Sequence, residues 1–341
     1  MKVALLTEIP APFRVPLFNA LAERVDLRVL FLAERDPRRP HYRVHADELR
    51  FDHRVLPGRE LARGGRWLVL SRGVRSDLRR FGPDAVIVGG WNQPAFWAAP
   101  GPRYVWVEST LRDDRPASGV LDRLKRAYLA RAAGVIVPGA ASARYAASLG
   151  VPAERVHVAP NAVDTRIFDV EPTPHDGCIF LYVGRLDSEK NVDVLLRAFA
   201  DVPGELVVVG AGSDEARLRA LAGDRVRFLG SLDRDELPAV YAAADVLVLP
   251  SRSEPWGMVL NEAATAGLAL VASDAAGAAH ELIEEGRNGY RVPAGDEAAL
   301  ADALRRVVDE RARFGAHSRE VARRFTPGAW ADAVAEAVRN G

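Results

Sequence analysis

The chain has 341 residues, with 46 Lys and Arg against 46 Asp and Glu and 48% hydrophobic residues, a globular composition long enough for two domains. It lacks a run of eighteen uncharged apolar residues, which argues against a membrane span, and its single cysteine, Cys178, has no partner for an internal disulfide. The zero net charge hides a division, because residues 1–160 carry 26 basic and 16 acidic side chains while residues 161–341 carry 20 and 30. Two electrostatically different bodies are expected, in a cytosolic setting.

In chain order, Met1 to Thr7 reads as a short strand and not as a signal peptide. Short apolar runs predict strands at 3–6, 27–32, 85–88, 104–107, 134–138 and 156–159, alternating with helix-like segments as in a doubly wound sheet. The first strand empties into Glu8-Ile9-Pro10-Ala11-Pro12-Phe13-Arg14. Arg63 to Arg80 reads as a basic amphipathic segment, either a helix packed on the sheet or a stretch lying on an anionic bilayer. Arg123-Leu124-Lys125-Arg126 is a weaker version of it. The Pro-rich stretch 160–174 is the best linker candidate. Beyond it the pattern repeats, with strands expected at 179–183, 205–209, 226–229, 246–249, 268–271 and 289–292 and a last helix near 327–339. The expected division is 1–165, 175–325 and a terminal segment 326–341.

The second half carries the chemistry. Ile179–Val183 runs into Gly184-Arg185-Leu186-Asp187-Ser188-Glu189-Lys190-Asn191, a loop at the carboxyl end of a strand and ahead of a helix (192–200), where open α/β sheets bind ligands. Arg185 and Lys190 suit a diphosphate, and lysine is scarce here, only Lys2, Lys125 and Lys190. Farther on, Glu254 and Glu262 bracket a helix predicted over 256–266, with Pro255 in its first turn and Gly267 past its end. On one helix the carboxylates would lie about 12 Å apart. The free N–H groups of Gly257, Met258 and Val259 between them favour an anion. A sugar, a diphosphate and a ribose in line fit that arrangement; so does the plainer reading of a helix with an acidic first turn and one solvated glutamate. Gly210-Ala211-Gly212 has the start of a dinucleotide fingerprint but lacks its third glycine. Asp233-Arg234-Asp235 reads as solvated charge with a capping role, and no metal is expected.

Together these runs resemble the family-4 retaining glycosyltransferases of the GT-B fold. The resemblance covers Pro160-Asn161-Ala162-Val163-Asp164, Val183-Gly184-Arg185-Leu186 with Glu189-Lys190, Pro250-Ser251 with Glu254 to Glu262, and onward to Gly295-Asp296. It implies two Rossmann-like domains facing across a cleft, and transfer of a sugar from a UDP- or GDP-linked donor to a hydroxyl acceptor such as a glycan, glycolipid or polyprenyl-linked molecule. By resemblance, Arg185 and Lys190 bind the donor phosphates, Glu254 the transferred sugar and Glu262 the ribose, while backbone at Leu229 meets the base. Gly184, Trp256, Gly257, Met258 and Val259 complete the donor set, and Glu254, Arg185 and Lys190 form the catalytic set. The terminal helix would return to the first domain. Asn191 and Ala162 stand where the family usually has glycine; Asn tolerates a left-handed backbone, and Ala162 is the harder departure if positive φ is required.

The same resemblance makes the basic first domain the acceptor side, with Glu8, Phe13, Arg14, Trp91, Asn92 and Glu108 as its candidates. Anionic acceptors, or peripheral contact with an anionic inner membrane face, then become plausible, and no nucleic-acid partner is implied. Competing readings are a sugar-nucleotide epimerase on the same fold, a non-catalytic nucleotide-sugar-binding partner, and a dehydrogenase.

Overall fold

The computed structural model describes residues 1–38, 42, 44–63, 66–112 and 119–340, without the side chains of Arg63 and Arg66. The chain runs through β1 (Lys2–Thr7), α1 (Val15–Ala22), β2 (Asp26–Phe31), β3 (Asp52–Val55), β4 (Gly58–Arg63), β5 (Arg66–Ser71), α2 (Val74–Phe81), β6 (Ala85–Val88), α3 (Pro94–Ala98), β7 (Arg103–Trp106), α4 (Gly119–Ala130), β8 (Gly134–Val137), α5 (Ala140–Ser148) and β9 (Val156–Val158). It continues as α6 (Thr165–Phe168), β10 (Ile179–Val183), α7 (Val192–Ala198), β11 (Glu205–Val209), α8 (Glu215–Leu221), β12 (Val226–Gly230), α9 (Leu237–Ala242), β13 (Val246–Leu249), α10 (Met258–Ala266), β14 (Ala269–Ser273), α11 (Ala279–Leu282), β15 (Gly289–Val292), α12 (Glu297–Ala322) and α13 (Pro327–Asn340).

Two compact units result. Unit 1 comprises Met1–Pro138, Ser142–Val163 and Pro327–Gly341, and unit 2 comprises Gly139–Ala141 and Asp164–Thr326. Unit 1 is built on a parallel sheet ordered β3-β2-β1-β6-β7-β8-β9, and unit 2 on one ordered β12-β11-β10-β13-β14-β15. Parallel strands need crossover connections, which cover both faces of the sheet, so the strands are apolar throughout. In β1 the alternation is explicit. Ala4 and Leu6 join a core with Leu78 of α2 and Phe96 of α3, whereas Val3 and Leu5 face a second core with Phe18 of α1 and Trp330 of α13.

Unit 2 repeats the plan. Phe180, Tyr182, Leu206 and Val208 pack with Leu195 of α7 and Leu304, Val307 and Phe314 of α12. The stretch 160–174 is not a free linker. Asp164 caps α6 by accepting the Arg166 amide at 3.2 Å, and Phe168 meets Tyr241 edge-on at 5.5 Å, which fixes the latter part of the stretch in unit 2. The Ala162 backbone does not adopt positive φ, which removes the need for glycine there.

The basic stretch 63–80 differs from expectation. It is not one helix: β4 and β5 form an antiparallel hairpin, followed by α2. Trp67 and Val69 alternate inward and are buried, whereas Leu68 and Leu70 point outward and are exposed, a period of two that a helical reading of the arginines overrides. Residues 64 and 65 and the side chains of Arg63 and Arg66 lie outside the described set. Among the described residues no helix is long and apolar enough to cross a membrane.

Trp330 is 1% exposed, packs at 5.2 Å from Trp106 and 6.2 Å from Phe18, and its buried indole N–H has no partner among the described residues. Trp330→Ala is expected to destabilise unit 1 by about 3–5 kcal/mol. Trp330→Phe, which removes the unpaired donor and keeps most of the packing, is expected to cost well under half of that. Urea unfolding of the two variants checks this ordering.

Candidate functional site

In unit 2 the loops at the carboxyl ends of neighbouring strands pack backbone against backbone. Gly184 N–H donates to Val209 O at 3.0 Å, Leu186 N–H to Ala211 O at 2.9 Å and Asp214 N–H to Leu186 O at 2.9 Å. A Cβ on Gly210 or Gly212 would run into the carbonyls of Gly184 and Leu186 respectively. That contact accounts for the Gly210-Ala211-Gly212 sequence, which therefore has a packing role in holding the Gly184–Lys190 loop. The Tyr182 hydroxyl donates to Arg185 O at 2.7 Å and secures the same loop from beneath.

Asn191 closes the loop with φ of 58°, the one non-glycine residue at positive φ among the described residues. Its side chain donates to Pro250 O at 3.2 Å and accepts from Arg252 Nε at 2.7 Å, while Arg252 N–H donates to Glu189 O at 2.8 Å. Asn thus supplies the left-handed turn that glycine would give, and also ties the loop to the segment that leads to Glu254.

Glu254 does not belong to the helix that carries Glu262. Its backbone forms a parallel bridge with Ala276, with Gly277 N–H donating to Glu254 O at 3.0 Å and Ala278 N–H to Trp256 O at 2.8 Å. The approach is close enough that a Cβ on Gly277 would collide with the Pro255 carbonyl. α10 begins at Met258, capped by Gly257 in the left-handed region, so Pro255 lies ahead of the helix and the 12 Å estimate along one helix does not apply. The amides of Met258 and Val259 precede the first helical i−4 bonds and remain helix-start donors. Trp256 is 4% exposed and donates its indole N–H to Asn261 Oδ1 at 2.8 Å, which places its ring beneath the helix start and not on an open face.

The side chains converge. The Lys190 ammonium pairs with the Glu254 carboxylate, both more than four-fifths buried. Arg185, which is exposed, pairs with Asp187 and lies 3.9 Å from Glu189. Glu262 accepts a 2.5 Å hydrogen bond from the Tyr241 hydroxyl, and burial raises its pKa to about 7, against the Tyr241 bond and the Arg234 charge, which hold it down. Leu229 lies on the edge strand β12 where the ladder slips: Val208 pairs with Phe228 and Val209 with Gly230. The skipped residue of a bulge has backbone groups left unpaired by the neighbouring strand, and the Leu229 side chain is exposed. Asp233 does not cap α9; its N–H instead donates to the Glu236 carboxylate at 2.7 Å. Among the described residues no three His, Cys, Asp or Glu side chains gather in a metal-binding group.

In unit 1 the candidates cluster at the carboxyl ends of β1, β6 and β7. Glu8 Oε1 accepts from Asn92 Nδ2 at 2.8 Å and Gln93 Nε2 at 2.7 Å. Glu108 accepts from Arg14 at 2.6 Å and from Asn161 at 2.9 Å, and the Arg14 guanidinium lies 4.2 Å from the centre of the Trp106 ring. Phe13 meets Tyr42 edge-on at 5.9 Å. Trp91 lies 6.2 Å from Tyr145, with Lys125 5.5 Å from the Trp91 ring and donating to the Tyr145 hydroxyl at 2.9 Å. Tyr145 and Tyr241 have no local sequence signal; each acts through a partner distant in the chain.

Comparisons with known proteins bear on the chain as a whole. The profile described as "Glycosyl transferases group 1" matches residues 163–325 and that described as "Glycosyltransferase Family 4" matches residues 17–167. Together the two profiles span residues 17–325, and the chain has the GT-B fold. It is 38% identical over 185 residues to a phosphatidyl-myo-inositol mannosyltransferase of Mycobacterium leprae, covering 49% of this chain and 48% of the relative. It is 34% identical over 188 residues to a D-inositol 3-phosphate glycosyltransferase of Acidothermus cellulolyticus, covering 47% and 42%. The chain spans about half the length of the curated relatives it matches. Among solved structures, Anabaena HepE in complex with UDP and glucose superposes with a TM-score of 0.76 over the full length of both chains at 21% identity, a likeness of fold.

The raised pKa of Glu262 has a defined stability consequence. Its folded-state value, about 7, lies above the ordinary 4.5, so the folded protein holds a proton that the unfolded chain releases. The contribution of this group to stability therefore falls as pH rises from about 4.5 to about 7 and stays low above that. Glu262→Gln is expected to melt at the same temperature as the parent near pH 4 and to be more stable at pH 8, by on the order of 3 kcal/mol. Ligand-free unfolding followed across that pH range checks the sign.

Proposed function

We propose that this GT-B protein is a retaining, metal-independent glycosyltransferase that moves a sugar from a UDP- or GDP-linked donor to a hydroxyl of a glycan, glycolipid or polyprenyl-linked acceptor. The observation that carries the reading is the buried pair of Lys190 and Glu254 beside Arg185 and the start of α10. Burying two charges costs desolvation that their attraction only partly offsets, so such a pair is readily retained where a ligand uses both members. A donor diphosphate would supply Lys190 with a new anion and release Glu254 to accept hydroxyls of the transferred sugar. Glu262 would hold the ribose and the backbone at Leu229 the base. Gly184, Gly257, Met258 and Val259 would offer backbone to the phosphates, with Trp256 supporting them from below.

In this reading the acceptor oxygen bonds to the anomeric carbon on the face from which the phosphate departs. The bond from that carbon to the phosphate oxygen breaks, and the departing oxygen takes the acceptor proton. Lys190, Arg185 and the helix-start amides stabilise the charge growing on the diphosphate, an electrostatic role that requires no protein nucleophile. Glu254 positions the sugar. The acceptor would lie against Glu8, Phe13, Arg14, Trp91, Asn92 and Glu108 of unit 1. The mannosyltransferase and the inositol-phosphate glycosyltransferase among its relatives, and the UDP and glucose in complex with HepE, support this reading.

Lys190→Ala and Glu254→Ala are each expected to lower transfer at least about 100-fold with circular dichroism unchanged, the scale of losing one preorganised charge contact. UDP or GDP is expected to raise the melting temperature of the parent protein, because a ligand bound by the native state alone stabilises it. Parental turnover in both variants, or no shift with any nucleotide, would sink the assignment. Free epimerised nucleotide sugar formed without acceptor would favour an epimerase instead.

Peripheral contact with an anionic membrane is the finer part of the reading. It is supported by α4, where Val120, Leu121 and Leu124 are 63%, 49% and 49% exposed beside Arg123 and Arg126. The parent is expected to co-sediment with phosphatidylglycerol vesicles, and Leu121→Glu with Leu124→Glu to abolish this. Equal sedimentation of the two proteins removes α4 from the role.

A further inference from the structure

A pocket of about 410 Å³ lies in unit 1, lined by Arg59, Leu70, Ser71, Arg72, Pro94 and Ala95 together with Ala98. Its volume falls within the roughly 300–1,000 Å³ of small-molecule sites. Two observations indicate its chemistry. First, Arg59 and Arg72 both line it, and neither guanidinium has a partner among the described residues. Second, Leu70, Pro94, Ala95 and Ala98 give the pocket an apolar wall.

The hairpin fixes the two cations on one side. Arg59 stands opposite Leu70 in the register, Arg72 directly follows the last residue of β5, and both line the same pocket. Side by side they repel, and an anion between them removes that cost. Two guanidiniums match a dianion, which favours a phosphate monoester over a single carboxylate, and each can grip it through two N–H donors. The apolar wall suits the body of a sugar.

The pocket is also joined to the candidate acceptor loop. Gln93, next to Pro94, donates to Glu8 at 2.7 Å and accepts the Val69 amide at 2.9 Å, which clamps β5 to the Trp91–Gln93 loop. Ser71 is two residues beyond Val69, about 7 Å along the strand. We propose that the Arg59–Arg72 pocket binds a sugar phosphate, as a subsite for a phosphorylated unit of the acceptor. Only the acceptor role rests on the transferase reading; the binding itself does not.

Isothermal titration of the full chain with glucose 6-phosphate, glucose and inorganic phosphate tests it. Glucose 6-phosphate is expected to bind more tightly than either of the others, more weakly at high salt, and at least tenfold more weakly in Arg59→Gln/Arg72→Gln, whose melting temperature should match the parent. No saturable binding of glucose 6-phosphate, or equal affinity in parent and variant, overturns the proposal. Inorganic phosphate binding as tightly as glucose 6-phosphate overturns its sugar component. UDP titrated in parallel reports on unit 2 alone: its failure to bind strikes the donor reading and leaves the pocket result intact.

Discussion

The candidate donor site depends on strand-end loops that touch without side chains between them. Gly210 and Gly212 press against the carbonyls of the Gly184–Leu186 loop, and Gly277 presses against the Pro255 carbonyl. These contacts place two loops, the one bearing Arg185 and Lys190 and the one bearing Glu254, at the same end of one parallel sheet. Open α/β sheets bind ligands at that end because the backbone there is exposed and rigidly seated. In unit 2 the seating is carried by backbone hydrogen bonds from Leu186 to Ala211 and from Gly277 to Glu254. Rigid placement of charges is what electrostatic catalysis requires, since donors already in position need no reorganisation as charge develops.

The two sheets were legible in the sequence because a parallel sheet covered on both faces leaves a simple trace, a run of apolar residues bounded by turns. β1, β6, β10 and β13 have that trace, and their order in the chain was readable. The hairpin β4–β5 was not, because its arginines recur at spacings that mimic a helix while the burial of Trp67 and Val69 follows a period of two. The start of α10 was misplaced for a related reason. Proline ahead of an apolar run is a good marker of a first helical turn, but here Pro255 sits in a segment that pairs with Ala276–Ala278, a non-local contact that overrides the local signal.

At the candidate sites, single residues were readable and pairs were not. Lys190 and Glu254 are 64 residues apart, and nothing in either segment announces that the two meet. Tyr241 and Glu262 are likewise brought together by the packing of α9 against α10. In unit 1 the carboxylate of Glu108 is occupied by Arg14 and Asn161, and that of Glu8 by Asn92 and Gln93. Residues that each read as isolated candidates thus form linked networks, in which the geometry of one depends on the others.

The Tyr241–Glu262 contact has a thermodynamic corollary for nucleotide recognition. A carboxyl whose pKa burial raises to about 7 is partly protonated in neutral buffer. A ribose presenting two hydroxyl donors would favour the ionised form, so on the proposed reading each nucleotide that binds would expel a fraction of a proton into solution. The heat of binding would then vary with the ionisation enthalpy of the buffer, and affinity would strengthen as the medium becomes more alkaline. On that reading, a buried glutamate of this kind would make the site responsive to proton activity as well as to nucleotide.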